Sequence, residues 1–190
     1  MSKMFSRIEP ALQEFIERQK IFFTGSATAD SRVNVSPKGS DCLRVIGPNA
    51  VAYLDQTGSG NEAAAHLRAD GRLTIMFCAF EGPPLILRLY GHGRSLPAGS
   101  DEYADLLANA FGGEEPPGAR QIVLLDVEAV QTSCGYSVPL YEFQEDRQTL
   151  KNWASRKGKD GIRKYWRQKN VASIDGLPTG MLEVLGEAAD

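Results

Sequence analysis

The spacing of apolar residues changes period several times along the chain. Between Glu9 and Lys20, Leu12, Phe15 and Ile16 stand three and four positions apart among polar residues, which is the pattern of an amphipathic helix, and Pro10 suits its first turn. From Ile21 the period shortens. Ile21 to Ala29 and Arg32 to Ser36 read as two strands joined at Ala29-Asp30-Ser31, with Pro37, Gly39 and Ser40 ending the second. In that second strand Val33 and Val35 alternate with Arg32, Asn34 and Ser36, so one face is apolar and the polar one is open to a ligand. A turn at Gly47-Pro48-Asn49 precedes a strand over Ala50 to Asp55, and a short helix over Glu62 to Arg68 is closed by Gly71.

Arg72 to Phe80 and Leu85 to Tyr90 form two more strands flanking Glu81-Gly82-Pro83-Pro84, and a helix over Ser100 to Phe111 has Ser100 as its cap. Ile122 to Val130 is a strongly apolar strand. After Pro139 the composition turns basic, and Arg147 to Lys169 reads as a helix that Gly158 and Gly161 divide. Strands this closely spaced leave no room for repeated crossover helices. The order therefore predicts an antiparallel α+β fold, mainly β with peripheral helices. Residues 1–145 form its body, and residues 146–190 a helical extension packed on that body or on a partner subunit.

Composition narrows the function classes. A chain of 190 residues supports one well-buried core. Its net charge of -3 provides no overall basic field, and the basic tail with Trp153 and Trp166 reads as a packing element, so nucleic acid is not expected as a partner. The N-terminal stretch lacks a signal-peptide core and no apolar run is long enough to span a bilayer, so a cytoplasmic, membrane-free setting is expected. Cys42, Cys78 and Cys134 are far apart and match neither a metal-binding spacing nor a disulfide framework. His66 and His92 form no metal pattern, and no nucleophile elbow or triad signature is present.

Two stretches have the chemistry of a binding site. Asp55-Gln56-Thr57-Gly58-Ser59-Gly60-Asn61 links a strand to a helix N-terminus, where free N–H groups and the helix dipole suit an anion and glycines admit close approach. A plain loop with Ser59 or Asn61 as helix cap accounts for the same residues. In the second stretch Arg32, Asn34, Ser36 and Lys38 recur at every other position, which places two cations and two hydrogen-bonding groups on one face for a phosphorylated ligand; a solvated strand face is the alternative. Arg88 interrupts the apolar run Leu85 to Tyr90, where a cation needs a partner, a phosphate or an exposed face.

Together these segments resemble the pyridoxamine-phosphate-oxidase-related FMN-binding split-barrel family, over about Ile21 to Val130. Arg32 to Gly39, Tyr53 to Glu62 and Phe77 to Pro84 carry the resemblance. It implies an antiparallel split β-barrel and an FMN held at the interface of a homodimer. Arg32, Asn34, Ser36, Lys38, Asp55, Gln56, Thr57, Ser59, Gly60, Asn61 and Arg88 would then serve as cofactor contacts. It also implies flavin-dependent oxidoreductase chemistry on an unidentified small molecule. A flavin carrier or sensor, or the same fold holding deazaflavin or haem, is the alternative. Two departures stand out: Gly60-Asn61 replaces the family's Arg-Lys pair after the loop serine, and Asn170 to Thr179 stands where the family's substrate motif would be.

Overall fold

The computed structural model describes residues 2–187. In chain order its elements are β1 (Lys3–Phe5), α1 (Pro10–Arg18), β2 (Phe22–Ser26), β3 (Asn34–Lys38), β4 (Leu43–Gly47), β5 (Ala50–Gln56), α2 (Glu62–Ala69), β6 (Arg72–Cys78), β7 (Ile86–Pro97), α3 (Asp101–Ala110), β8 (Ala119–Ser133), α4 (Thr149–Lys169) and α5 (Met181–Leu185). The strands form one eight-stranded sheet in the order β3-β2-β6-β7-β8-β5-β4, with β1 also on β8, and every pairing is antiparallel.

The expected closed split β-barrel is not what forms. The sheet has two free edges, β3 and β4, although they are neighbours in sequence. Pro37 lies within β3 and has no N–H to offer a further strand, which fits an edge. Ser40 and Asp41 then take left-handed backbone conformations (φ 62 and 51) that turn the chain away before β4 begins. The sheet nevertheless curls strongly. Phe22 of β2 meets Tyr53 of β5 with ring centroids 5.7 Å apart, although three strands separate β2 from β5 in the sheet. The gap between the edges is bridged by side chains: Lys38 of β3 reaches Asp55 of β5 at 2.6 Å.

One source of that curl is a register shift in the long β7–β8 ribbon between Tyr90 and Gly91. A Cβ at Gly91 would stand 1.9 Å from the Asp126 carbonyl oxygen, so this position accepts only glycine as built.

β5 shows how the layers arise. Val51 and Tyr53 join the core inside the curl, with Leu73, Ile75, Phe77, Leu87, Leu89, Val123 and Leu125. Ala52 and Leu54 point the other way into a second cluster, built with Leu96, Ile122 and α3 residues Tyr103 and Leu107. A strand buried on both faces reads as a continuous apolar run, which is why this one was legible. At its end the inner face turns polar: Asp55 pairs with Gln121 where Tyr53 pairs with Val123. A third cluster, Ala154, Ile162, Trp166, Met181 and Leu185, belongs to the C-terminal helices.

Several boundaries differ from the sequence reading. β3 continues through Pro37 to Lys38, and β7 and β8 extend well beyond their apolar runs. β1 and β4 were not anticipated. Within α4 only Gly158 leaves helical geometry (φ 65, ψ 173), so it divides the helix and Gly161 does not.

Candidate functional site

At the polar end of the inner face a pocket of about 590 Å³ opens between β3, the loop from Gly58 to Gly60, the start of α2 and Ile174. This volume lies within the range of small-molecule sites. Nine residues singled out from the sequence line it: Arg32, Asn34, Ser36, Lys38, Asp55, Gln56, Ser59, Gly60 and Asn61. β3 presents its polar face to this pocket, while Val33 and Val35 are 73% and 64% exposed.

Two predicted contacts are elsewhere. Thr57 is buried behind the loop; its hydroxyl donates to the Gly118 carbonyl (2.8 Å) and accepts from the Trp166 indole N–H (2.7 Å). Arg88 lies on β7, away from the pocket lining, and donates to the Ser133 hydroxyl (3.2 Å).

The floor of the pocket is a buried ionic network. One Asp55 carboxylate oxygen accepts from Lys38 Nζ at 2.6 Å. The other accepts from the Arg120 guanidinium (2.7 and 3.1 Å) and from the Gln121 amide (2.9 Å). Burial would push the Asp55 carboxyl up, but the Arg120 guanidinium and then the Lys38 ammonium outweigh it and hold the group well below the usual carboxylate range. Asp55 is thus a fixed counter-charge behind the wall. Arg120 also donates to the Gly60 carbonyl (2.8 Å) and to Asn170 (3.0 Å), and Asn170 in turn donates to the Gly58 carbonyl (3.2 Å). The glycine loop is therefore held from behind by β8 and the end of α4. Sequence reasoning missed Arg120, Gln121 and Asn170. The cue that flagged Arg88, a cation entering an apolar strand, applies equally to Arg120.

The start of α2 is the part left open. The N–H groups of Ser59, Gly60, Asn61, Glu62 and Ala63 reach no acceptor among the described residues. Asn61 occupies the cap position but its side chain does not cap. Its Oδ1 accepts from Gln121 (3.0 Å), and its Nδ2 has no partner among the described residues although the residue is only 3% exposed. A buried amide donor beside a row of free N–H groups is suited to an anionic or multiply accepting ligand. Arg32 at the rim pairs with Asp175, and the Glu62 carboxylate accepts the Ile174 N–H (3.0 and 3.2 Å), so the segment after α4 borders the pocket.

A phosphorylated flavin fits this lining: free N–H groups and an amide at the helix start, a hydroxyl at Ser59, and apolar surface at Val33 and Ile174. Neither His66 nor His92 lines the pocket, so its lining offers no histidine as a haem ligand.

The chain thus combines an antiparallel sheet curled round an inner core with a ligand-sized pocket at the head of an inserted helix. Residues 8–134 match the family described as Pyridoxamine 5'-phosphate oxidase. The "Pyridoxamine 5'-phosphate oxidase family protein ustO" of Aspergillus flavus is 35% identical over 196 residues, covering 94% of this chain and 78% of that protein. The chain belongs to the pyridoxamine 5'-phosphate oxidase-related family. Among solved structures, HupZ of Group A Streptococcus is similar at a TM-score of 0.54 and 18% identity, covering 66% of this chain and 99% of that one. A putative pyridoxamine 5'-phosphate oxidase of Lactobacillus delbrueckii is similar at a TM-score of 0.51 and 20% identity, covering 66% and 94%. Both support the fold. No helix among the described residues is long and apolar enough to cross a membrane.

Proposed function

We propose that this chain binds FMN in the pocket at the start of α2 and acts as a flavin-dependent oxidoreductase on a small molecule. The observation that carries this reading is the unpartnered, buried Asn61 amide beside the free N–H groups of residues 59–63. These groups would hold the phosphate, with the Ser59 hydroxyl beside them. Asn34, Ser36 and Gln56 would meet the polar edges of the ligand, and Val33 and Ile174 its apolar surface. Lys38, anchored by Asp55, supplies a positive charge to the wall. FMN, when bound, supplies hydride and electron transfer, and the protein supplies position and electrostatics.

An enzyme is favoured over a carrier by the polar lining. Neither Trp153 nor Trp166 seals the pocket, since Trp166 is packed behind Thr57 and Trp153 lines a different cavity. A second copy of the chain is proposed to complete the site; the exposed Val35 on the edge strand β3 supports this.

The test is a titration with FMN followed by visible absorbance. Wild-type protein should shift and sharpen the flavin bands. Asn61→Asp, which places a carboxylate at the proposed phosphate position, should weaken binding by about tenfold or more while the protein remains folded. Equal affinity in the two proteins would move the phosphate elsewhere, and a wild type that ignores FMN would remove the flavin reading.

A further inference from the structure

His66 lies on α2, 1% exposed, and a line of polar side chains runs from it to the pocket. The Ser36 hydroxyl donates to Asn34 Oδ1 at 3.2 Å. Asn34 Nδ2 donates to Ser26 Oγ at 3.5 Å, the longest link, and Ser26 Oγ lies 3.0 Å from His66 Nδ1. Ser36 and Asn34 line the pocket, whereas Ser26 and His66 are buried in the body of the fold.

Such a line has a direction. Because Ser26 Oγ accepts from Asn34, its own proton is free to point at His66 Nδ1, which must then be the bare nitrogen and leave the ring proton on Nε2. His66 Nε2 has no partner among the described residues, so in this tautomer its N–H stays buried and unpaired. At the other end, the Ser36 proton is committed to Asn34, and the oxygen lone pairs are what the pocket receives. The reverse arrangement, with the proton on Nδ1, would leave the Ser26 proton without an acceptor unless Asn34 turned its amide over, and Ser36 would then offer a proton to the pocket.

We propose that His66 is a positioning residue that sets the hydrogen-bond polarity of the β3 wall: as the Nε2–H tautomer it makes Ser36 an acceptor, selecting a ligand that places a donor group, an N–H or O–H, against this wall. The phosphate end of the ligand is handled separately by the start of α2. The assignment to a particular ligand rests on the FMN reading above; the direction of the chain does not.

The chain contains two histidines, so a ¹⁵N-histidine NMR spectrum can be resolved residue by residue. In alkaline buffer His66 of the wild type should show a pyridine-type Nδ1 and a pyrrole-type Nε2. A pyrrole-type Nδ1 would reverse the line and overturn the proposal. Addition of FMN should shift the His66 signals in wild type, and in Ser26→Ala should leave them in place while FMN still binds. Bound FMN that leaves wild-type His66 unmoved, or that moves it equally in Ser26→Ala, would overturn the coupling. If FMN does not bind at all, the flavin reading fails, and the first spectrum still decides the direction.

Discussion

The two inserted helices α2 and α3 begin in opposite ways. At α3, Ser100 accepts the Tyr103 N–H at 3.3 Å, Asp101 and Glu102 fill the first turn, and Tyr103 and Leu107 rest on apolar neighbours. That start is complete within the chain. At α2, Asn61 is equally able to cap but its side chain is held by Gln121; five N–H groups have no acceptor among the described residues, and an ionic network lies beneath the pocket. A cap residue that does not cap marks where the fold has left its backbone donors for something else. The contrast separates a helix start completed within the chain from one whose backbone donors stay unpaired among the described residues.

The contrast can be probed by four measurements, beginning with the largest effect. Arg120→Met removes one partner of a buried ion pair and should cost about 3–5 kcal/mol in denaturant unfolding, because Asp55 loses its main counter-charge. Loss of only a few tenths would show that the α2 floor is not the rigid base described here. Acid comes next. The folded Asp55 carboxyl is held below its unfolded value, so its contribution is present above about pH 4 and is lost as pH falls toward the folded value. Thermal melts should fall on that limb in wild type and more shallowly in Asp55→Asn. Ser100→Ala should cost about 1 kcal/mol and leave FMN affinity unchanged. Trp166→Phe should cost a comparable amount, about 0.5–1.5 kcal/mol, since Thr57 keeps its bond to Gly118. A change in flavin affinity for Ser100→Ala would break the contrast outright.

The sequence reading reached the pocket through alternation in β3 and through the glycine loop, because both patterns are local. It read Lys38 and Asp55 as ligand contacts, whereas the fold joins them to each other across the open seam; no periodicity reveals a pairing between two strands on opposite sides of a sheet. Arg120 and Gln121 were missed because β8 was begun at its first apolar residue, Ile122, and the two polar residues before it belong to the same strand. Arg88, noticed as a cation in an apolar run, lies outside this pocket and bonds Ser133 across β7 and β8. The antiparallel plan was legible from strand spacing. Closure was not, since it depends on whether β3 and β4 pair, and Pro37 with the left-handed Ser40 and Asp41 decides against it.

Gly91 makes the pocket depend on a residue that does not line it. The long ribbon shifts register there, an irregularity that bends strand pairs, and β3 meets β5 across the curl. The ligand wall is therefore assembled by leverage: a small change of angle at the middle of the ribbon becomes a large displacement at the sheet edge. Any side chain at position 91 would strike the Asp126 carbonyl and open the curl, pulling Lys38 from Asp55 while leaving every pocket residue chemically intact. Loss of binding at such a distance would be a mechanical fault, and the sites most sensitive to it are the ones built across a seam.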